Sequence, residues 1–112
     1  MILYGIPNCD TVAKARKYLE SNAVTYTFHD VRQQGLPLDV IEQAYQALGE
    51  KVFNTRSPSW RELSDENKNA LKSGQDFSAA QTQPTVLKRP LVFHEGTIFN
   101  GFKIEDWQAR GL

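Results

Sequence analysis

Cys9 is the only cysteine in a chain of 112 residues. It follows an apolar run, Ile2-Leu3-Tyr4, and a tight Gly5-Ile6-Pro7-Asn8 loop, and helical periodicity begins directly after it. A thiol there faces the free N–H groups and the positive end of the helix dipole, which favour thiolate over thiol. Thiolate is the reactive nucleophile. Asp10 works against this, since a neighbouring carboxylate disfavours a second negative charge, although an acid suits a first helical turn. A lone cysteine is more often a small buried hydrophobe, so its place at a helix start is what favours the reactive reading. Val12 occupies the position where a Cys-x-x-Cys partner would stand. No intramolecular disulfide can form, and any redox cycle must borrow a thiol from another molecule.

Arg89, in Lys88-Arg89-Pro90, directly precedes a proline that opens an apolar run. An X–Pro bond in such a turn can be cis, and we expect it to be so here. A guanidinium held there could clamp an oxyanion or carboxylate as a fork; the plainer alternative is a surface arginine beside an edge-strand proline. Arg56 and Arg61 lie in a hydroxyl-rich stretch, Asn54-Thr55-Arg56-Ser57-Pro58-Ser59-Trp60-Arg61. Loops on a rigid scaffold often carry binding groups, but solvated loop charges are common. Lys103, after Gly101-Phe102, reads as surface. His29 and His94 read as strand-end or sheet-face residues; neither has a partner at metal-ligand spacing, and no metal is assigned.

The elements that must position these residues follow from periodicity. Ile2–Tyr4 reads as a buried strand stopped by Gly5 and Pro7. From Asp10 to Ser21, Val12, Ala15 and Leu19 share one helix face. Val24, Tyr26 and Phe28 then alternate with Thr25, Thr27 and His29, predicting a strand over 25–28 that a right-handed crossover sets parallel to the first. Leu38, Ile41, Tyr45 and Leu48 fall on one helix face that Gly49 ends. The chain from Phe53 to Trp60 reads as irregular. Ser64 caps a short helix that Gly74 ends, and another short helix precedes Pro84. Leu91-Val92-Phe93 and Thr97-Ile98-Phe99 flank Glu95-Gly96 as a hairpin, and Ile104–Arg110 closes the chain as a helix with Trp107 inward. The prediction is a single α/β domain over 1–112: βαβ, then ββα, in a mixed four-stranded sheet, with a helical insertion over 38–83. This order resembles the thioredoxin-like fold.

Composition narrows the classes. Thirteen Lys+Arg against thirteen Asp+Glu give a formal net charge of zero, whereas domains built to neutralise many phosphates carry a basic excess; no nucleic-acid partner is expected. The 40% hydrophobic content can supply a core. No run of eighteen apolar residues exists, so no membrane span is expected. The first residues lack the basic region of a signal peptide, and a single cysteine excludes a multi-Cys zinc site. A monomer in the reducing cytosol is the expectation.

Four stretches together carry a resemblance. They are Tyr4-Gly5-Ile6-Pro7-Asn8-Cys9-Asp10-Thr11 with Lys14-Ala15-Arg16; Asn54-Thr55-Arg56 with Trp60-Arg61-Glu62-Leu63; Gln83-Pro84-Thr85-Val86-Leu87-Lys88-Arg89-Pro90-Leu91; and Gly101-Phe102-Lys103. In order and spacing, over essentially the whole chain, they resemble the arsenate-reductase-like branch of the thioredoxin superfamily. The nearest likeness is to its small YffB subgroup; the Spx transcriptional regulators are more distant. The resemblance implies a monothiol oxidoreductase with Cys9 as nucleophile and glutathione as co-substrate, with no cofactor bound. It implies that Arg89 and Arg56 hold anionic groups, with Thr11, Pro90 and Lys103 completing the substrate-binding set. A small anionic substrate and a glutaredoxin are the implied partners. The chain also departs from the pattern. The arsenate reductases carry a histidine four residues before the cysteine, where this chain has Gly5, and their third arginine has only Lys103 nearby. Val12 removes the Cys-x-x-Cys switch of many Spx proteins. Two alternatives follow: a true arsenate reductase coupled to glutathione and glutaredoxin, and a non-catalytic module that docks on a larger partner, as Spx does on RNA polymerase.

Overall fold

The computed structural model describes all residues, Met1–Leu112. The chain forms two compact bodies, one of Met1–Asp30 with Arg89–Leu112 and one of Val31–Lys88.

The first body holds a mixed four-stranded sheet. Its strands are β1 (Ile2–Gly5), β2 (Thr27–Asp30), β3 (Leu91–His94) and β4 (Thr97–Asn100), in the order β2-β1-β3-β4. β1 runs parallel to β2, with Leu3 level with Phe28, and antiparallel to β3, with Leu3 level with Val92. β3 and β4 form the expected hairpin. Glu95 and Gly96 both take positive φ, 50° and 78°, as a two-residue type I′ turn requires. One face of the sheet buries Leu3, Val92 and Phe99 against Val12, Ala15 and Leu19 of α1 (Asp10–Ser21) and Trp107 of α6 (Ile104–Ala109). Trp107 is fully buried; its Nε1 donates to Gly101 O at 3.2 Å, which satisfies the one polar atom of an otherwise apolar ring. Arg16 lies 4.1 Å over the Phe28 ring and its Nε donates to the Tyr26 hydroxyl at 3.0 Å, fastening α1 to the approach to β2.

β2 starts at Thr27, later than the alternation of 24–28 predicts. α1 closes first. Ala23 takes φ 56°, Val24 N donates to Leu19 O and Ala23 N to Glu20 O. This is a Schellman cap with alanine at the position that usually holds glycine. The cap uses Ala23 and Val24, so the ladder opens only where Thr27 N donates to Met1 O at 2.9 Å.

The second body is helical: α2 (Leu38–Leu48), α3 (Pro58–Arg61), α4 (Asp65–Ser73) and α5 (Ser78–Thr82), with 3₁₀ turns at Gly49–Val52 and Pro84–Val86. α2 is rolled from the predicted face. It buries Val40, Ile41 and Ala44, while Leu38, in its first turn, stays 47% exposed. The stretch read as irregular contains α3, a single turn. Ser57 Oγ accepts from Trp60 N at 3.1 Å and Pro58 sits at the first helical position, the two devices that start a helix without help from periodicity. α4 follows its prediction: Ser64 Oγ accepts from Asn67 N, and Gly74 closes it with φ 74°. An isolated bridge pairs Phe53 with Leu87, and Ser59 and Thr85 share a hydroxyl–hydroxyl bond.

Candidate functional site

Cys9 is the N-cap residue of α1, with φ −111° and ψ 125°; its carbonyl accepts from Ala13 N at 2.9 Å and its side chain makes no capping bond. The N–H groups of the first turn, on Asp10, Thr11 and Val12, have no partner within the helix. The sulfur is therefore not engaged as a cap. The side chain is partly buried and rests against the core that Leu3 and Val12 belong to. Thr11 and Asp10 are exposed on the same turn.

Gly5 explains how α1 can start so close to the sheet. A Cβ built on Gly5 would lie 2.9 Å and 3.2 Å from the two Cγ atoms of Val12 and 3.7 Å from the Phe28 ring. Val12 is fully buried and its branched side chain has essentially one rotamer in a helix. Residue 5 is thus glycine because Val12, one turn beyond Cys9's own position, occupies the room of its side chain. Gly5 and Val12 are thus coupled by packing.

The strand register brings Arg89 and Pro90 to the same end of the sheet. Tyr4 is level with Leu91, so one step further sets Pro90 level with Gly5, where β1 hands over to the Cys9 loop. The Arg89–Pro90 bond is cis, as expected from the sequence. Pro90 is buried and Arg89 partly buried. Gly101 N donates to Pro90 O at 3.0 Å, which ties the segment leading to Lys103 to this same end. Lys103 is exposed and is the N-cap residue of α6. Cys9, Thr11, Arg89, Pro90 and Lys103 are therefore all carried at one end of the sheet in the first body.

Arg56 belongs to the second body. It is exposed, on a turn in which its own N–H donates to Asn54 Oδ1 at 3.1 Å. Arg61 is exposed at the end of α3. His29 sits in β2 with its ring 4.9 Å from that of Tyr4. His94 ends β3, with Nε2 3.9 Å from Glu95 Oε1 and a buried Nδ1 that has no partner. No group of three or more His, Cys, Asp and Glu side chains converges as metal ligands would. No helix is long and apolar enough to cross a membrane. The alternation of Tyr26 and Phe28 was the available sign of Arg16's place, since aromatic faces attract a guanidinium.

Comparison with known proteins agrees with this architecture. The chain is 39% identical over 108 residues to an uncharacterised protein of Haemophilus influenzae, covering 96% of this chain and 95% of that one. It is 27% identical over 107 residues to the global transcriptional regulator Spx 1 of Oceanobacillus iheyensis, covering 93% of this chain and 81% of the relative. Among solved structures, a YffB protein superposes with a TM-score of 0.88 at 31% identity over 96% of both chains. An arsenate-reductase-related protein of Brucella melitensis superposes with a TM-score of 0.73 at 30% identity, over 96% of this chain and 91% of that one. The sheet is thioredoxin-like, as the sequence predicts. The ArsC family model matches residues 4–110, and the chain belongs to the ArsC family.

Proposed function

We propose that the protein is a glutathione-dependent monothiol oxidoreductase with Cys9 as its nucleophile. The observation that carries the reading is that the only thiol caps α1 without using its sulfur in the cap, at the end of the sheet where Arg89 and Lys103 supply positive charge. The Cys9 thiolate attacks the glutathionyl sulfur of a mixed disulfide. A Cys9–glutathione disulfide forms, the old S–S bond breaks, and the substrate leaves as its thiolate. A second glutathione thiolate then attacks the glutathionyl sulfur, releasing oxidised glutathione and restoring the Cys9 thiolate. The sum is a disulfide exchange: one free glutathione is consumed, the substrate is released as its thiol, the disulfide leaves as oxidised glutathione, and no second protein thiol is needed. Arg89 orients a glutathione carboxylate as a bidentate partner, which a lysine would not reproduce. Thr11 and Lys103 complete the anion contacts, a glutaredoxin is the protein partner that takes over the resolving step, and the cytosol supplies the glutathione.

The test is mass spectrometry of the protein after treatment with oxidised glutathione, beside NMR titration with reduced glutathione. One glutathione adduct is expected on the wild type and none on Cys9→Ser. Arg89→Ala should weaken binding while leaving the fold intact. Shifts confined to residues away from Cys9 and Arg89 would sink the enzyme reading. They would favour a docking module, which the similarity to Spx regulators supports.

A further inference from the structure

One charged group at the Cys9 end of the first body has no part in the thiol chemistry. Asp10 directly follows Cys9, is the first residue of α1 and is exposed. A carboxylate beside a thiolate repels it, so Asp10 acts against the nucleophile it adjoins. An acid in a first helical turn is favourable, but that gain does not require the position next to the sulfur. The carboxylate is also unspent: it joins no ion pair and no hydrogen bond within the chain. Lys14 stands one turn further along α1, where an opposite charge can pair, yet the two do not meet. Arg89 and Lys103, at the same end of the sheet, are likewise unpaired. Glutathione carries two carboxylates and one ammonium at neutral pH. Arg89, Lys103 and Asp10 are two cations and one carboxylate, the inverse of that pattern.

Given the proposed exchange with glutathione, on which this rests, we infer that Asp10 sets the choice of thiol by accepting the ammonium of the γ-glutamyl end, while Arg89 and Lys103 take the carboxylates. Ammonium donors on a carboxylate make charge-assisted hydrogen bonds. Once the sulfur is bonded at Cys9 the rest of the tripeptide is tethered, so a modest pair is enough to orient it. The same residue disfavours other substrates. An anionic disulfide without an ammonium leaves Asp10 uncompensated, facing both the thiolate and the incoming carboxylates, and specificity is gained from such repulsion as well as from attraction.

The experiment follows adduct formation at Cys9 of the full chain by mass spectrometry, as a second-order rate constant, with three disulfides. They are oxidised glutathione, oxidised N-acetylglutathione, which lacks the ammonium, and bis(2-hydroxyethyl) disulfide, which carries no charge. In each, the Cys9 thiolate attacks one sulfur, the S–S bond breaks, and one small thiolate leaves. The wild type should react about fivefold faster with oxidised glutathione than with its N-acetyl form, the size of a good exposed ion pair. Asp10→Asn keeps the shape and removes the charge. It should bring those two rates together while reacting with bis(2-hydroxyethyl) disulfide no more slowly than the wild type. Asp10→Glu should restore most of the preference, and Glu105→Gln, a like change on the exposed first turn of α6, should leave it intact. Equal rates in the wild type, a preference that survives Asp10→Asn, or one lost in Glu105→Gln would overturn the inference and leave the exchange with glutathione standing. Equal slowing of all three disulfides in Asp10→Asn would overturn it too, by showing that Asp10 only secures the start of α1. No adduct from either glutathione form would remove the glutathione reading and this inference with it.

Discussion

Replacing Gly5 with alanine tests how tightly the Cys9 helix is seated. The new Cβ would stand 2.9 Å from one Cγ of Val12 and 3.2 Å from the other. Real Cβ atoms are not found at the first distance, so something must move. Val12 cannot turn away easily: it is fully buried and its rotamer is fixed by its branching. The remaining response is for α1 to lift from β1, and forced overpacking of this kind costs about 1–3 kcal/mol. Val12→Ala removes the obstacle at the price of a cavity, and should cost about 2 kcal/mol by itself. Placed together, the two changes compensate. The double variant should be about 1–2 kcal/mol more stable than the sum of the singles, as expected for residues in direct contact. Urea unfolding of all four proteins measures the cycle. The same samples report function through the alkylation rate of Cys9, which should change in Gly5→Ala and return toward the wild type in the double variant. An alanine at residue 5 within about 0.5 kcal/mol of the wild type, the range of an ordinary surface change, would refute the packing argument, as would strict additivity.

Ala23→Gly should stabilise the protein by about 0.5–1 kcal/mol in thermal or urea unfolding, because the left-handed conformation that costs a residue with a Cβ about 1–2 kcal/mol costs glycine nothing, less the entropy glycine adds to the unfolded chain; a loss of stability would show that Ala23 is not strained. Asp76 carries the other readable signal. The hydrogen bonds from the Ser78 hydroxyl and N–H hold its carboxyl below its ordinary value of 3.8. A lowered native pKa gives stability that is complete above the unfolded value and is lost as pH falls through the native one. The wild type should therefore lose an increment below about pH 3.8 that Asp76→Asn lacks, visible as converging urea midpoints on acidification; parallel pH profiles would refute it. Arsenate turnover with glutathione and glutaredoxin should be absent or very weak, since each missing oxyanion donor of this kind costs about 2.7–4 kcal/mol of transition-state stabilisation; robust turnover would show that Gly5 and Lys103 were given too much weight.

What could be read before the coordinates divides along physical lines. The hairpin was legible because Glu95-Gly96 is the kind of pair that tolerates two positive φ values, and turn chemistry is local. The α4 boundaries were legible for the same reason, from Ser64 and Gly74. The alternation of Val24, Tyr26 and Phe28 sets β2 too early, and nothing in that pattern reveals that a helix cap has already claimed Val24. The face of α2 is not legible from periodicity, because Leu38 stands in the first turn, where the pattern cannot say which neighbours exist to cover it; Val40 and Ala44 are buried in its place. α3 carried its own signal, Ser57-Pro58, but a single turn is too short for periodicity to register. The end of the sheet that holds Cys9, Arg89 and Lys103 was approachable only through resemblance, since its members are separated by most of the chain.

The strand order has a consequence for how the protein is made. β1 is the second of four strands in space but the first to leave the ribosome, and one of its two partners, β3, is among the last. The residues of Val31–Lys88 are contiguous and can collapse during synthesis, as nascent segments do. The sheet cannot, because Leu3 must wait for Val92 while the chain in between is translated. Such non-local pairing is slow to form. Throughout that interval Cys9 stands on a helix whose sheet is only half assembled, because Val92, Phe99 and Trp107 of the core it rests against are not yet made. A truncation that stops before Leu91 should prolong the same state indefinitely.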